Sequence, residues 1–349
     1  MKFIESVFEK LERHPKRILF PDGTQPHVIA GAVEYVERKL GIAILLGKRE
    51  EVEEAAKKIN APLRRIHIID PEKAEDLPLF IKRLETLNRY RGISQPDAVK
   101  IITHPNYFGS MMLQNGQVDG LVGGATSSSG SILRPLFQLI KPLPGVKSIS
   151  SCMVLQVPNC EFGHNGLFVF ADCGVIPNPT VDQLSSIAIE AAKLNRQFTG
   201  DVPRVAMLSY STRGSTQTQE TERIAAATAL ARQYFIENNI EAEIDGELQA
   251  DAAIVPEVGA LKAPGSPVAG RANVLIFPDL NSGNIALKLV HRLTKADAYG
   301  QLLLGLDKPA ADLSRGASVE EIVGVAAIVG LQAINYRKLY PEQGARYTP

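Results

Sequence analysis

The chain has 349 residues, with 38 Lys and Arg against 38 Asp and Glu, so its formal charge is zero. At about 150 residues per domain, that length corresponds to about two domains, each with enough chain for its own core. Balanced charge excludes a generic polyanion binder while leaving room for a local anion site, and no apolar run approaches the ~18 residues that cross a bilayer.

The start, MKFIESVFEKLERHPKR, places Phe3, Ile4, Phe8 and Leu11 on one face with charges between them. That pattern predicts an amphipathic helix and lacks the apolar block and small-residue cleavage site of a secretory signal. A short strand over 17–21 follows, then a helix over 27–40, a strand over 42–46, a charged helix over 49–59 and a strand over 65–70. Helices around 74–90, 95–103 and 106–115 precede a fourth strand at 119–123. Nearly all-apolar strands spaced by helices indicate βαβ units and a mostly parallel sheet buried on both faces. The segment 141–151, KPLPGVKSISS, is a candidate domain crossing. Beyond it, 152–157 and 167–172 predict an antiparallel pair. The βα rhythm then resumes with helix 180–198, strand 204–209, helix 217–238, strand 242–248, helix 250–262, strand 273–278 and helix 283–294. A strand over 300–306 and a helix over 319–335 close the pattern. Cys152, Cys160 and Cys173 cannot all pair and show no zinc spacing, so a reduced, cytoplasmic protein is expected.

Ligands in open α/β sheets bind beyond the carboxyl ends of strands, and four such ends carry chemistry here. The first, 123–135 (GGATSSSGSILRP), runs into glycines, the hydroxyls of Thr126, Ser127, Ser128 and Ser129, then Ser131 and a helix containing Arg134. Glycines admit a ligand to the backbone, a helix N-terminus offers unpaired N–H groups to an anion, and an arginine fork matches phosphate. A solvated, N-capping serine loop is the plainer reading of the same residues. The second end, 209–215 (SYSTRGS), repeats the pattern with Arg213. The third, 279–284 (DLNSGN), opens a helix bearing Lys288 and Arg292 with no carboxylate between Leu280 and Ala296; taken alone, it reads better as a turn and a basic solvent face. The fourth is 312–321 (DLSRGASVEE). Ser314 or Ser318 can cap the last helix, with Glu321 completing a capping box from Ser318. Alternatively, hydroxyl, guanidinium and carboxylate supply a donor, an anion clamp and a base. Spacing alone does not choose.

No G-x-G-x-x-G follows a strand, no nucleophile elbow is present, and the six histidines are scattered. The P-loop-like spacing at 265–272 has Arg where lysine is needed and Ala where the metal-binding hydroxyl belongs.

Together, the segments 119–135, 170–183 (FADCGVIPNPTVDQ), 208–215, 245–253 (DGELQADAA), 263–284 (APGSPVAGRANVLIFPDLNSGN) and 308–321 resemble the phosphate acetyltransferases, or phosphotransacetylases, over about residues 15–335. The resemblance implies an α/β fold of two α/β/α lobes with mostly parallel sheets, isocitrate/isopropylmalate dehydrogenase-like, and an active-site cleft between them. The last helix would return to the first lobe, giving domains 1–149 plus 303–349 and 150–302. The implied reaction is acetyl-CoA + phosphate ⇌ acetyl phosphate + CoA. It would run in the cytoplasm, usually in a homodimer, with coenzyme A as substrate and no bound cofactor, metal, nucleic acid or membrane. The family motif D-L-S-R-G-x-x-x-x-[D/E] makes Ser314 a hydrogen-bond donor, Arg315 the clamp on the phosphoryl group or carbonyl, and Glu321 the base for the thiol. Ser127, Ser128, Ser129 and Arg134 would form the phosphate or acyl-phosphate site, and Arg292 would contact coenzyme A.

Five positions depart from the family pattern. Glu321 stands where Asp is usual, His27 where the N-terminal motif has Arg, and Asn88 where another Arg belongs, although Arg89 and Arg91 lie next to it. Ser127 and Ser131 occupy positions that commonly hold His and Asp. These changes keep two rivals open: transfer of propionyl or butyryl groups, and a catalytically weak binder of acyl-CoA or acyl phosphate. A decarboxylating dehydrogenase shares the two-lobed sheet but needs an aspartate cluster that is missing from the final strands.

Overall fold

Short strands of β-branched and aliphatic residues, most of them followed by a helix, build both halves of the chain. The structure is a computed structural model that describes residues 3–339 except 88, 89, 91 and 127. Two units result: Met1–Lys141 with Leu306–Pro349, and Pro142–Gly305.

The first unit runs α1 (Phe3–Arg13), β1 (Lys16–Phe20), α2 (Pro26–Glu37), β2 (Gly41–Leu46), α3 (Arg49–Lys58), β3 (Ile66–Ile69), α4 (Leu77–Thr86), α5 (Gln95–Ile102), α6 (Pro105–Gln114), β4 (Gly120–Gly123) and α7 (Ser129–Leu139). The chain later returns to add β11 (Ala310–Asp312) and α14 (Val319–Leu339). Its strands are ordered β3-β2-β1-β4-β11 and all run parallel. The sequence did not announce β11. Three residues after Pro309 carry too little pattern to predict a strand; they pair in parallel with β4. Close backbone approach seats α14: a Cβ on Gly31 of α2 would lie 2.6 Å from Ile322 Cγ2, and one on Gly330 would lie 3.0 Å from Leu11 of α1.

The second unit contains β5 (Ser150–Gln156), α8 (Phe162–Asn165), β6 (Leu167–Ala171), α9 (Val181–Thr199), β7 (Arg204–Leu208), α10 (Gln219–Glu237) and β8 (Glu243–Leu248). It continues with α11 (Ala250–Ile254), α12 (Pro256–Lys262), β9 (Val274–Ile276), α13 (Leu280–Thr294) and β10 (Asp297–Leu304). Strand order is β10-β5-β6-β9-β7-β8, with β5 antiparallel to both neighbours and the rest parallel. The single helix expected over 250–262 is two helices. Pro256 has no N–H to donate and forces Val255 into an extended conformation, φ −92° and ψ 119°. The last expected strand begins three residues early, at Asp297, and stops before Gly305, whose φ of +83° turns the chain.

Candidate active site

In the first unit β4 lies between β1 and β11, so the loops leaving the carboxyl ends of these three strands emerge side by side. The central loop turns at Gly124, φ +98°, where a Cβ would collide with Asp312 Oδ1. Two carboxyl groups lie against that loop. Asp22, beyond β1, accepts the N–H groups of Gly124 and Ala125 at 2.9 and 3.1 Å and the Thr126 hydroxyl at 2.6 Å. Asp312, the last residue of β11, is buried with its Oδ1 against Gly124. Burial pushes the Asp312 carboxyl up to about 6, with Asp22 adding to the rise.

Ser128 is the N-cap residue of α7, its hydroxyl 3.3 Å from that of Ser131. Ser128, Ser129 and Arg134 are all exposed. On the neighbouring loop, Ser314 and Arg315 are exposed directly after β11. The capping box forms as expected: Ser318 N–H donates to Glu321 Oε2 at 2.7 Å and Glu321 N–H donates to Ser318 Oγ at 3.2 Å. Glu321 therefore belongs to both readings, as cap partner and as carboxylate. The box pins the Glu321 carboxylate six positions past Arg315.

Among the described residues, neither Arg134 nor Arg315 has an acidic partner. The first unit thus brings Ser128, Ser129, Arg134, Ser314, Arg315 and Glu321 onto the loops and helix starts after two adjacent parallel strands. Ser127 lies outside the described residues, as do Asn88, Arg89 and Arg91. Arg292 belongs to the second unit, exposed on α13. His27 sits in the first turn of α2 with its Nε2 buried and without a partner.

The other two loops are closed by structural bonds. Arg213 reaches Asp245 at 2.6 Å, while Ser211 Oγ and Gly214 N–H donate to Glu247 at 3.0 and 2.7 Å. Asp279 caps α13 by accepting Ser282 N–H at 2.8 Å. A cavity of about 270 Å³ lies elsewhere in the second unit, against α9, α10 and the 144–147 turn. The buried Glu190–Lys193 pair lines it, and none of the predicted site residues does.

Asp22 and Asp312 were not singled out in the sequence. A carboxylate at or directly after a strand end is ordinary turn chemistry; what distinguishes these two is contact with a loop about a hundred or more residues away, which spacing does not reveal.

Comparison with known proteins shows the family of the chain. Residues 2–330 match the model of the phosphate acetyl/butaryl transferase family. A phosphate acetyltransferase of Acetivibrio thermocellus is 46% identical over 333 residues, covering 95% of this chain and 98% of that protein. The Thermoanaerobacterium thermosaccharolyticum enzyme of the same name is 44% identical, covering 95% and 100%. The chain belongs to this family. Among solved structures, a phosphotransacetylase from Streptococcus pyogenes superposes with TM-score 0.86 at 37% identity, covering 96% of this chain and all of that one. A 4-hydroxythreonine-4-phosphate dehydrogenase from Salmonella typhimurium, at 14% identity and TM-score 0.53 over 91% and 99% of the two chains, shares the fold alone. Among the described residues, no group of three or more His, Cys, Asp or Glu side chains is arranged to hold a metal ion, and no helix is long and apolar enough to cross a membrane.

Proposed function

We propose that this chain catalyses acetyl phosphate + CoA ⇌ acetyl-CoA + phosphate, with the groups after β4 and β11 as its machinery. The 46% identity to a phosphate acetyltransferase across nearly both chains carries the reading. The unpaired arginines beside an exposed hydroxyl loop support the placement of its chemistry.

The chemistry sets three demands. A thiol of pKa about 8.5 is only about 3% ionised at pH 7, so removing its proton costs about 2 kcal/mol. Glu321 takes that proton, its carboxylate held by the Ser318 cap. The thiolate then attacks the acetyl carbonyl, and the tetrahedral oxyanion accepts hydrogen bonds from Ser314 and Arg315. Each such donor is worth about 2.7–4 kcal/mol in other enzymes. The carbonyl carbon–oxygen bond to phosphate breaks last, and Ser128, Ser129 and Arg134 receive the departing anion. Arg292 contributes to binding the anionic part of coenzyme A.

Transfer is direct, in a ternary complex. Burial, reinforced by Asp172, pushes the Cys152 and Cys173 thiols up, so neither supplies a thiolate for an acyl-enzyme. Free cysteines suit the cytoplasm. The working form is a homodimer. On α13, Ile285, Leu289 and Leu293 form an i, i+4, i+8 stripe 58, 54 and 79% exposed, on the side turned away from buried Leu287.

The test is purified protein with CoA and acetyl, propionyl or butyryl phosphate, following thioester formation. Acetyl phosphate is expected to give the highest kcat/KM. Because one methylene discriminates by about 1–3 kcal/mol, a butyryl preference of tenfold or more would transfer the assignment to the longer-chain reaction.

A further inference from the structure

Helix α7 (Ser129–Leu139) has a proline in its interior, Pro135, directly after Arg134. Proline has no N–H, so the carbonyl four residues back, that of Ser131, loses the donor a regular helix would supply. That carbonyl sits in the turn that joins Ser128 and Ser129 to Arg134. A neighbouring helix fills the gap. The side-chain amide of Asn106, on α6, donates to Ser131 O at 3.0 Å.

Asn106 is itself firmly held. It is only 5% exposed, its backbone N–H donates to His104 Nδ1 at 3.3 Å, and its carbonyl accepts the Ser110 hydroxyl at 2.7 Å. Helix α6 in turn lies close on the sheet: a Cβ on Gly109 would come within 2.7 Å of Leu19 in β1 and 3.3 Å of Leu121 in β4. A packed path therefore runs from the sheet through α6 to the first turns of α7. Arg134 is exposed and has no acidic partner among the described residues, so the backbone of α7 sets where its guanidinium stands.

We propose that Asn106 is a positioning residue for anion binding: its amide replaces the N–H that Pro135 lacks and fixes the turn from which Ser129 and Arg134 meet the phosphate. The proposal rests on the reading of this loop as the acyl-phosphate site. Without the amide, the Ser131 carbonyl must shift or admit water, and the residues on either side of it move with it.

The experiment measures kcat and the KM values for phosphate and acetyl-CoA in the wild type, Asn106→Ala, Pro135→Ala and the doublet. Pro135→Ala returns an N–H to position 135, which can bond the Ser131 carbonyl in place of Asn106. Asn106→Ala is expected to raise KM for phosphate about tenfold, or about 1.4 kcal/mol, in line with a partly buried carbonyl left unpaired. KM for acetyl-CoA should stay within about twofold, because the loss falls on phosphate alone. The doublet should return KM for phosphate to within about threefold of wild type, a coupling between the two sites that mere packing of Asn106 does not produce. Pro135→Ala alone should stay close to wild type.

An unchanged KM for phosphate in Asn106→Ala overturns the proposal, as does an equal rise in the single variant and the doublet. If Asn106→Ala does not fold, the doublet decides: a KM for phosphate near wild type upholds the proposal, and a raised one or a doublet that also fails to fold overturns it. Titration calorimetry with inorganic phosphate on the same proteins scores the activity separately. An active wild type whose KM for phosphate is the same in all four proteins removes only the role of Asn106. A wild type inactive in transfer, whose phosphate affinity falls in Asn106→Ala and recovers in the doublet, removes only the transferase reading. A wild type that neither transfers acetyl groups nor binds phosphate removes both.

Discussion

Replacing Glu321 with Gln separates the two jobs that this side chain holds. Its Oε2 accepts Ser318 N–H at 2.7 Å, and a glutamine at the same helix position can accept that bond through its amide oxygen. Losing a cap altogether costs about 1 kcal/mol, which in a domain of this size moves Tm by about 2–4 °C. Glu321→Gln should therefore stay within about 2 °C of wild type, and Glu321→Ala should fall by the full amount. Catalysis should behave differently, since neither amide nor methyl takes a proton. General-base catalysis is worth about 10²–10⁴-fold, and that loss is expected in both variants at pH 7. Part of it should return at high pH. The thiolate fraction of a thiol with pKa about 8.5 rises from about 3% at pH 7 to about 75% at pH 9, so solution ionisation restores about 25-fold to Glu321→Gln. The assay is thioester formation from acetyl phosphate and CoA at both pH values, beside thermal denaturation of the three proteins. If Glu321→Gln is depressed equally at pH 7 and pH 9, Glu321 is not the base. If it also melts as early as Glu321→Ala, the cap was not preserved and the comparison must be read as loss of geometry.

Arg315 is exposed and has no acidic partner among the described residues, so Arg315→Ala should leave Tm unchanged while lowering kcat/KM for acetyl phosphate by about 10²–10³-fold; near-normal turnover would refute its role. Asp119 provides a pH test of stability rather than activity. Burial alone would raise its pKa, but side-chain and backbone hydrogen bonds from Arg17 and the guanidinium charge outweigh burial and hold the carboxyl below its ordinary range. A depressed folded-state pKa contributes stability above the unfolded value of about 3.9 and loses it as pH falls through the folded value. Asp119→Asn should accordingly be less stable than wild type in denaturant at pH 7, with the gap closing below about pH 4; a gap that persists in acid would contradict the ion-pair account. On α13, Leu289→Lys should weaken a self-association built on the Ile285–Leu289–Leu293 stripe by tenfold or more, read as a smaller mass in light scattering at equal concentration. An unchanged mass places the interface elsewhere.

Much of the fold was legible because buried parallel strands leave a strong mark. β1 (KRILF), β2 (GIAILL) and β6 (LFVFA) are unambiguous apolar runs. The failures are local and have physical causes. At α11 and α12, Pro256 interrupted a helical periodicity that continued across it. At β11, three residues became a strand through pairing that includes β4, which their own pattern does not announce. Capping was legible too: the Ser318–Glu321 spacing predicted both bonds that form. Spacing could not say which of the four loops is open to a ligand, because that depends on carboxylates brought from distant strands.

The contrast between 209–215 and 123–135 locates that limit. Both loops follow a buried parallel strand, both are rich in hydroxyls, and both lead to an arginine. Strand β8 sets Asp245 and Glu247 against the first, and its guanidinium, hydroxyls and backbone N–H groups are consumed internally. The second also receives a carboxylate, from Asp22, but that group takes only two backbone N–H groups and Thr126, upstream of the helix start. Arg134 and the exposed hydroxyls of Ser128 and Ser129 are left facing water. An anion reaching 209–215 would have to displace an ion pair and buried hydrogen bonds, whereas one reaching 123–135 displaces solvent. That difference in desolvation and replacement cost, rather than the count of serines, is what leaves the second loop the more open of the two to an anion.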